Sequence, residues 1–251
     1  MPSTKSYTLY YATNRHHIGD DYLHPSGYSS IFSDDGDENL RFGRLTVDAD
    51  LQRVEQSLKA KVTGLGKGDG IGLAEYFASL VGSASINPYA ENLKKDLTDQ
   101  KQSLESFGST GFFKDLKAKM MESTDVLVYI HGFNVTWEAA VGSALALQEM
   151  VKNYKELKQQ VMVVLFTWPS EGKAIPYYSY LVDRADHVHS KVNQIDCTPV
   201  VPGGLFAVEH SYYMLGDITR DIVQTLADVP QDSTDRRRVV STELPNTWKM
   251  K

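Results

Sequence analysis

One short segment of the sequence combines a histidine, a glycine and an asparagine directly after an apolar run. Its four residues are His131, Gly132, Phe133 and Asn134. The run before it is VLVYI (126–130), and a helical pattern begins at Trp137. Because glycine lets a backbone approach a ligand closely, such a turn can direct a backbone N–H at a substrate carbonyl oxygen. The segment therefore predicts an oxyanion-stabilising loop, with a simple strand–helix turn holding a hydrogen-bonded histidine as the alternative.

The segments on either side of this loop predict a parallel strand pair. VLVYI and VMVVLFTW (161–168) are short, nearly all-apolar and rich in β-branched residues, which is typical of strands buried on both faces. A helix from Trp137 to about residue 157 separates them. Strand, helix and strand within this length make a βαβ unit, which places the chain in the α/β class.

The first half of the chain has a different organisation. Strands are predicted at 6–13 and 40–47, and helices at 73–82, 89–106 and 112–122, where apolar residues recur every three to four positions. The glycine-rich stretch between them, GLGKGDGIG (64–72), lacks the Ser or Thr that should follow its lysine in a phosphate-binding loop, which favours a connector. We therefore divide the chain into an N-terminal extension, 1–122, and a core, 123–251.

The end of the chain carries a strand-like run, a turn and a helix. The run is VNQIDCTPVV (192–201), the turn is at 202–204, and the helical pattern covers 216–229.

Several segments of the chain resemble an uncharacterised bacterial family of α/β-hydrolases. The likeness is carried by DVLVYIHGFNVTWEAAV, VVLFTWPSEG and YLVDRAD, with further similar segments YYATNR, LRFGR, KVNQIDCTPVV and VEHSYY. It implies an α/β-hydrolase-like, mostly parallel sheet, ester-type hydrolysis and no cofactor. It also assigns His210, in VEHSYY, as the catalytic base, which agrees with the order of catalytic residues in this fold.

The nucleophile segment of that family is missing from this chain. No G-x-S-x-G pentapeptide is present, although the fold carries its serine on such a turn between a strand and a helix. In the family an elbow of the HSMG type follows the DR-A segment, whereas here Asp186 is followed directly by His187. Two absent βαβ units would amount to roughly 60–100 residues. The resemblance therefore implies a sheet shortened near residues 186–190.

Two other residues are weaker candidates for the nucleophile. Ser170 ends the strand at 161–168 and keeps S-x-G, but the bulky Trp168 lies where the strained turn needs a small residue. Cys197 lies thirteen residues before His210, so a Cys–His pair is an alternative to an ordinary buried thiol. The candidate acids, among which the sequence does not choose, are Asp183, Asp186 and Asp196.

Composition limits the partners and the compartment. A net charge of −6 gives no electrostatic footprint for nucleic acid, and no apolar run approaches the ~20 residues of a membrane helix. A single cysteine in 251 residues favours a reducing, cytoplasmic environment. The histidines, His187 and His189 included, lack metal-ligand spacing, so we expect no metal site.

Two functions remain open at this point. The first is a serine-hydrolase relative that acts on a small-molecule ester-type substrate. The second is a non-catalytic hydrolase-fold scaffold or truncated product, for which exposed sheet edges predict low stability or self-association.

Overall fold

A computed structural model describes most of the chain in segments. They are residues 3–33, 40–60, 68–90, 108–123, 125–132, 134–154, 160–170, 194–196, 216–236, 238–240, 242 and 247–250. The strands are β1 (Thr4–Thr13), β2 (Arg15–Ile18), β3 (Gly27–Phe32), β4 (Arg41–Asp50), β5 (Ser85–Pro88), β6 (Asp125–Ile130), β7 (Val161–Thr167), β8 (Gln194–Asp196), β9 (Arg238–Val240) and β10 (Thr247–Met250). The helices are α1 (Leu51–Lys59), α2 (Gly70–Leu80), α3 (Gly108–Met120), α4 (Trp137–Lys152) and α5 (Gly216–Leu226), with a 3-10 turn at Val81–Ser83.

The main sheet has five strands in the order β5-β4-β1-β7-β6. Strand β1 runs antiparallel to β4 and parallel to β7, and β7 runs parallel to β6. Because β5 is antiparallel to β4, only β4 opposes the direction of the other four strands. The predicted α/β class with a mostly parallel sheet is confirmed. So is the predicted parallel pairing of β6 with β7, from Asp125 opposite Val161 to Ile130 opposite Phe166.

The N-terminal strand is the centre of this sheet. Strand β1 lies between β4 and β7, and its side chains alternate between the two faces. Tyr7, Leu9 and Tyr11 join the largest core cluster, whereas Tyr10 joins the cluster on the opposite face. The predicted boundary at residue 122 therefore falls between elements that share one sheet.

Helices α4 and α2 cover one face of the sheet. Almost every residue of α4 from Ala140 to Val151 is buried, including the polar Gln148 and Glu149 among its many apolar residues. The two helices approach so closely at Gly142 that an added Cβ would lie 2.3 Å from the backbone oxygen of Ala74. Thr136 is the N-cap residue of the helix, and its side chain accepts the Ala139 N–H. The predicted helix from Trp137 is confirmed, although it ends at Lys152.

The opposite face is covered in part by α3. Phe112 and Leu116 pack there against Tyr10 and Val164. Farther along β6, the side chains of Val128 and Ile130 stay 64% and 61% exposed. Among the described residues, β6 pairs only with β7 and is the last strand of the main sheet.

The C-terminal elements are a helix that packs against α4 and a separate small sheet. Val223 of α5 packs against Leu147 and Val151 of α4. Strands β8, β10 and β9 form a separate three-stranded sheet, and the buried Arg238 guanidinium donates to both carboxylate oxygens of Asp221. The helix predicted at 89–106 lies outside the described residues, apart from two irregular residues at its start. In the part of the chain that the structure describes, no helix is long and apolar enough to span a bilayer.

Candidate functional site

The carboxyl ends of three neighbouring strands meet at one edge of the main sheet. Thr13 of β1 is opposite Thr167 of β7, and Ile130 of β6 is opposite Phe166. The segments that follow these strands must therefore lie side by side. In open α/β sheets this carboxyl edge is where ligands bind.

The side chain of His131 is fixed from both of its ring nitrogens. It is only 3% exposed. Its Nδ1 lies 2.8 Å from the carbonyl oxygen of Gly132, and its Nε2 lies 2.8 Å from Oγ1 of Thr167. The backbone N–H of Trp168 also donates to Nε2, over 3.1 Å, and the indole ring stacks on the imidazole at an interplanar angle of 4°. The histidine thus joins the end of β6 to the end of β7.

A buried arginine donates hydrogen bonds to the end of β7 and to the segment that follows the loop. Arg15 has no solvent exposure. Its Nε–H donates to Oγ1 of Thr167 over 2.9 Å, and its two terminal nitrogens donate to the carbonyl oxygens of Ser29 (3.0 Å) and Val135 (2.7 Å). One guanidinium therefore connects the β2–β3 hairpin, the end of β7 and the segment that leads into α4.

The hydroxyl of Ser170 is part of this framework. Ser170 has no solvent exposure. Its Oγ accepts the N–H of Val135 over 3.1 Å, lies 3.3 Å from the Val135 carbonyl oxygen and donates to it. Its backbone oxygen accepts the N–H of Asn134, whose φ of 56° lies in the left-handed region that asparagine tolerates. Because the hydroxyl is buried and engaged in both directions, it holds the loop to the end of β7.

The comparison with known families agrees with this architecture. Residues 109–196 match the family model described as "Alpha/beta hydrolase of unknown function (DUF900)". The chain has an α/β fold with a mostly parallel main sheet, and part of it is similar to this hydrolase family. The match covers 88 of the 251 residues and includes β6, α4, β7 and the loop at 131–134. No curated protein and no solved structure matches the chain. The expected similarity to an uncharacterised α/β-hydrolase family is confirmed at this level.

Several predicted site residues lie outside the described part of the chain. His131 directly follows β6, and Gly132 comes next, at the predicted carboxyl edge. Phe133, Cys197, His210, Asp183 and Asp186 are not among the described residues, and Asp196 is the last residue of β8. Their roles therefore stay predictions.

The sequence interpretation did not include Arg15 or Thr167 in the site. Both residues could have been noticed because Arg15 ends the YYATNR segment and Thr167 is a polar residue closing an apolar strand. Within the described ranges, no group of three or more His, Cys, Asp or Glu residues could hold a metal ion.

An aromatic cluster includes Trp137, the first residue of α4. The rings of Tyr11 and Tyr28 pack edge-on against Trp137, with centroids 5.1 and 4.7 Å away, and their hydroxyls are 2.8 Å apart. Burial raises the pKa of Tyr28 to about 12 and that of Tyr11 well above its usual value. Both phenols are therefore neutral at physiological pH.

Proposed function

We propose that this chain is a hydrolase-fold protein related to ester-hydrolysing serine enzymes, that it binds ester-type carbonyl compounds at the loop 131–134, and that it has little or no serine-esterase activity. The observation that carries the proposal is the state of Ser170. This residue is the candidate nucleophile within the described residues, and its hydroxyl is buried and bonded to Val135. The sequence contains no G-x-S-x-G elsewhere.

The chemistry of acyl transfer explains why the loop alone is insufficient. An acyl-enzyme forms when a hydroxyl or thiol attacks the carbonyl carbon and its proton passes to a base. The loop can supply a backbone N–H to the oxygen that becomes negative, and His210 is the proposed base. Loss of the nucleophile costs on the order of a millionfold in kcat in a well-studied serine protease. A chain with a loop and a histidine can polarise a carbonyl and assist water, which gives slow turnover without an intermediate.

The test combines active-site labelling with pre-steady-state kinetics. The full chain is treated with a fluorophosphonate probe, and p-nitrophenyl butyrate hydrolysis is followed by stopped flow. The same measurements are made on Ser170→Ala, Cys197→Ala and His210→Ala. We expect no labelling, no burst of nitrophenolate, and a slow linear rate that Ser170→Ala leaves unchanged.

Each contrary outcome identifies a different nucleophile. A burst that disappears in Ser170→Ala would overturn the proposal and make this serine catalytic. A burst that disappears only in Cys197→Ala would show thiol catalysis. Binding is measured separately with p-nitrophenyl butylphosphonate, a stable anion that mimics the tetrahedral intermediate. Backbone NMR shifts at Gly132 and Asn134 on titration support binding at the loop, and their absence refutes it.

A further inference from the structure

The hydrogen bonds around Thr167 and His131 bear on which ring nitrogen of His131 carries the proton. Both ends of this chain of groups can only donate. At one end is the Nε–H of Arg15, which lies 2.9 Å from Oγ1 of Thr167. At the other end is the backbone N–H of Trp168, which lies 3.1 Å from Nε2 of His131. Guanidinium and peptide N–H groups have no acceptor atom at the donating nitrogen, so the groups between them must accept.

These two donors assign the tautomer of His131. Because Nε2 accepts the Trp168 N–H, it carries no proton. The Thr167 hydroxyl, which lies 2.8 Å away and already accepts from Arg15, therefore turns its own proton towards Nε2 and shares the single lone pair of that nitrogen with the Trp168 N–H. A neutral imidazole has its proton on the other nitrogen. His131 thus has Nδ1–H, which donates to the carbonyl oxygen of Gly132 over 2.8 Å.

We propose that Arg15 is a positioning residue of the 131–134 loop, which acts through Thr167 to fix the protons on His131 and thereby the orientation of the Gly132 carbonyl. A carbonyl held in one orientation would keep the loop in a single backbone conformation, which a site that stabilises a developing negative charge requires. This last step rests on the proposed function, whereas the proton positions do not.

Arginine is suited to this position for a geometric reason. Its guanidinium donates from three nitrogens at once, to Thr167, Ser29 and Val135. A lysine would keep the charge, but a single ammonium nitrogen cannot reproduce the planar, forked arrangement. His131 in this arrangement has both ring nitrogens occupied and is a structural group of the loop, distinct from the proposed base His210.

The proton positions can be measured directly by NMR. The full chain is labelled with ¹⁵N-histidine, and the His131 signals are assigned among the seven histidines by their loss in His131→Asn. We expect a neutral ring with the proton on Nδ1. A proton on Nε2, or on both nitrogens, would refute the inference without affecting the esterase proposal. Failure of the phosphonate to bind would refute the proposed binding and leave the tautomer result standing.

Variants then test the parts assigned to Thr167 and Arg15. Thr167→Val keeps the shape and removes the hydroxyl, so solvent exchange of the Nδ1 proton should become roughly two- to tenfold faster, the range expected for one lost hydrogen bond. Thr167→Ser should restore the slow exchange. Arg15→Lys should also accelerate it, and Arg53→Lys, at an exposed arginine outside the network, should not. Unchanged exchange in folded Thr167→Val and Arg15→Lys would overturn the positioning role. If Arg15→Lys fails to fold, the Thr167 pair and the wild-type tautomer still decide the question.

Discussion

Replacing Ser170 with alanine separates a structural hydroxyl from a catalytic one. The hydroxyl accepts the Val135 N–H over 3.1 Å and donates to the Val135 carbonyl over 3.3 Å. Its removal leaves the Val135 N–H without this acceptor, whereas the Val135 carbonyl still accepts from Arg15 over 2.7 Å. A buried group that loses its partner costs about 1–3 kcal/mol. Because one donor is affected and its 3.1 Å bond is at the long end of the usual N–H···O range, we expect the lower half, about 1–2 kcal/mol. For a chain of this size that lowers Tm by about 2–8 °C.

The assay is thermal and urea unfolding followed by circular dichroism, with ester hydrolysis measured on the same samples. Ser83→Ala is the matched control, because it deletes an exposed hydroxyl that donates to the Leu80 carbonyl and should change stability by no more than about 0.5 kcal/mol. The reasoning would be refuted if Ser170→Ala kept full stability and lost activity. That pattern is expected of a nucleophile and not of a residue that holds a loop.

Three further perturbations test the packing, the aromatic cluster and the sheet edge. Gly142→Ala should cost about 1–3 kcal/mol, because its Cβ would lie 2.3 Å from a backbone oxygen of α2; unchanged unfolding would contradict that helix contact. Burial raises the pKa of Tyr28 from 10.0 to about 12, so the folded state is stabilised fully below pH 10 and loses that contribution as the pH rises to 12. Between pH 10 and pH 12 the free energy of unfolding in urea should fall by about 2 kcal/mol less in Tyr28→Phe than in the wild type. An equal pH dependence of the two proteins would refute the burial argument. The exposed Val128 and Ile130 on β6 predict self-association. Replacing both residues with lysine should reduce the self-association that sedimentation velocity detects. The control Ile31→Lys, at an isoleucine of similar exposure, should not reduce it. A monodisperse wild-type monomer that unfolds sharply would contradict this expectation.

Local patterns were sufficient to predict the elements on both sides of the loop. Strands β6 and β7 are continuous apolar runs, which are typical of a parallel pair with an intervening helix. The prediction that both strands are buried on both faces was wrong for β6, because Val128 and Ile130 lie 64% and 61% exposed on the part of the sheet face that α3 does not cover. The first strand and the helix at α2 were also evident from their residue types and periodicity. The loop itself could be found because a histidine and a glycine directly follow an apolar strand, a position at the carboxyl edge of the sheet.

Strand order was decided only in three dimensions. Nothing in the residues of β1 distinguishes a strand of an extension from the central strand of the main sheet, because alternation reports which faces are buried and not which neighbours are paired. Its place between β4 and β7 depends on register contacts such as Tyr10 with Val164, which are far apart in the chain.

The same reason limits what the sequence could say about the site. Arg15 and Thr167 are 152 positions apart, and their hydrogen bond exists because β1 and β7 end side by side. Ser170 could be considered a nucleophile from its S-x-G spacing, whereas its burial and its two bonds to Val135 follow from how the end of β7 meets the start of α4. The sequence determined which residue types stand at the ends of strands. The tertiary structure decided which of them meet, because a side chain's hydrogen-bond partners depend on strand pairing between distant segments.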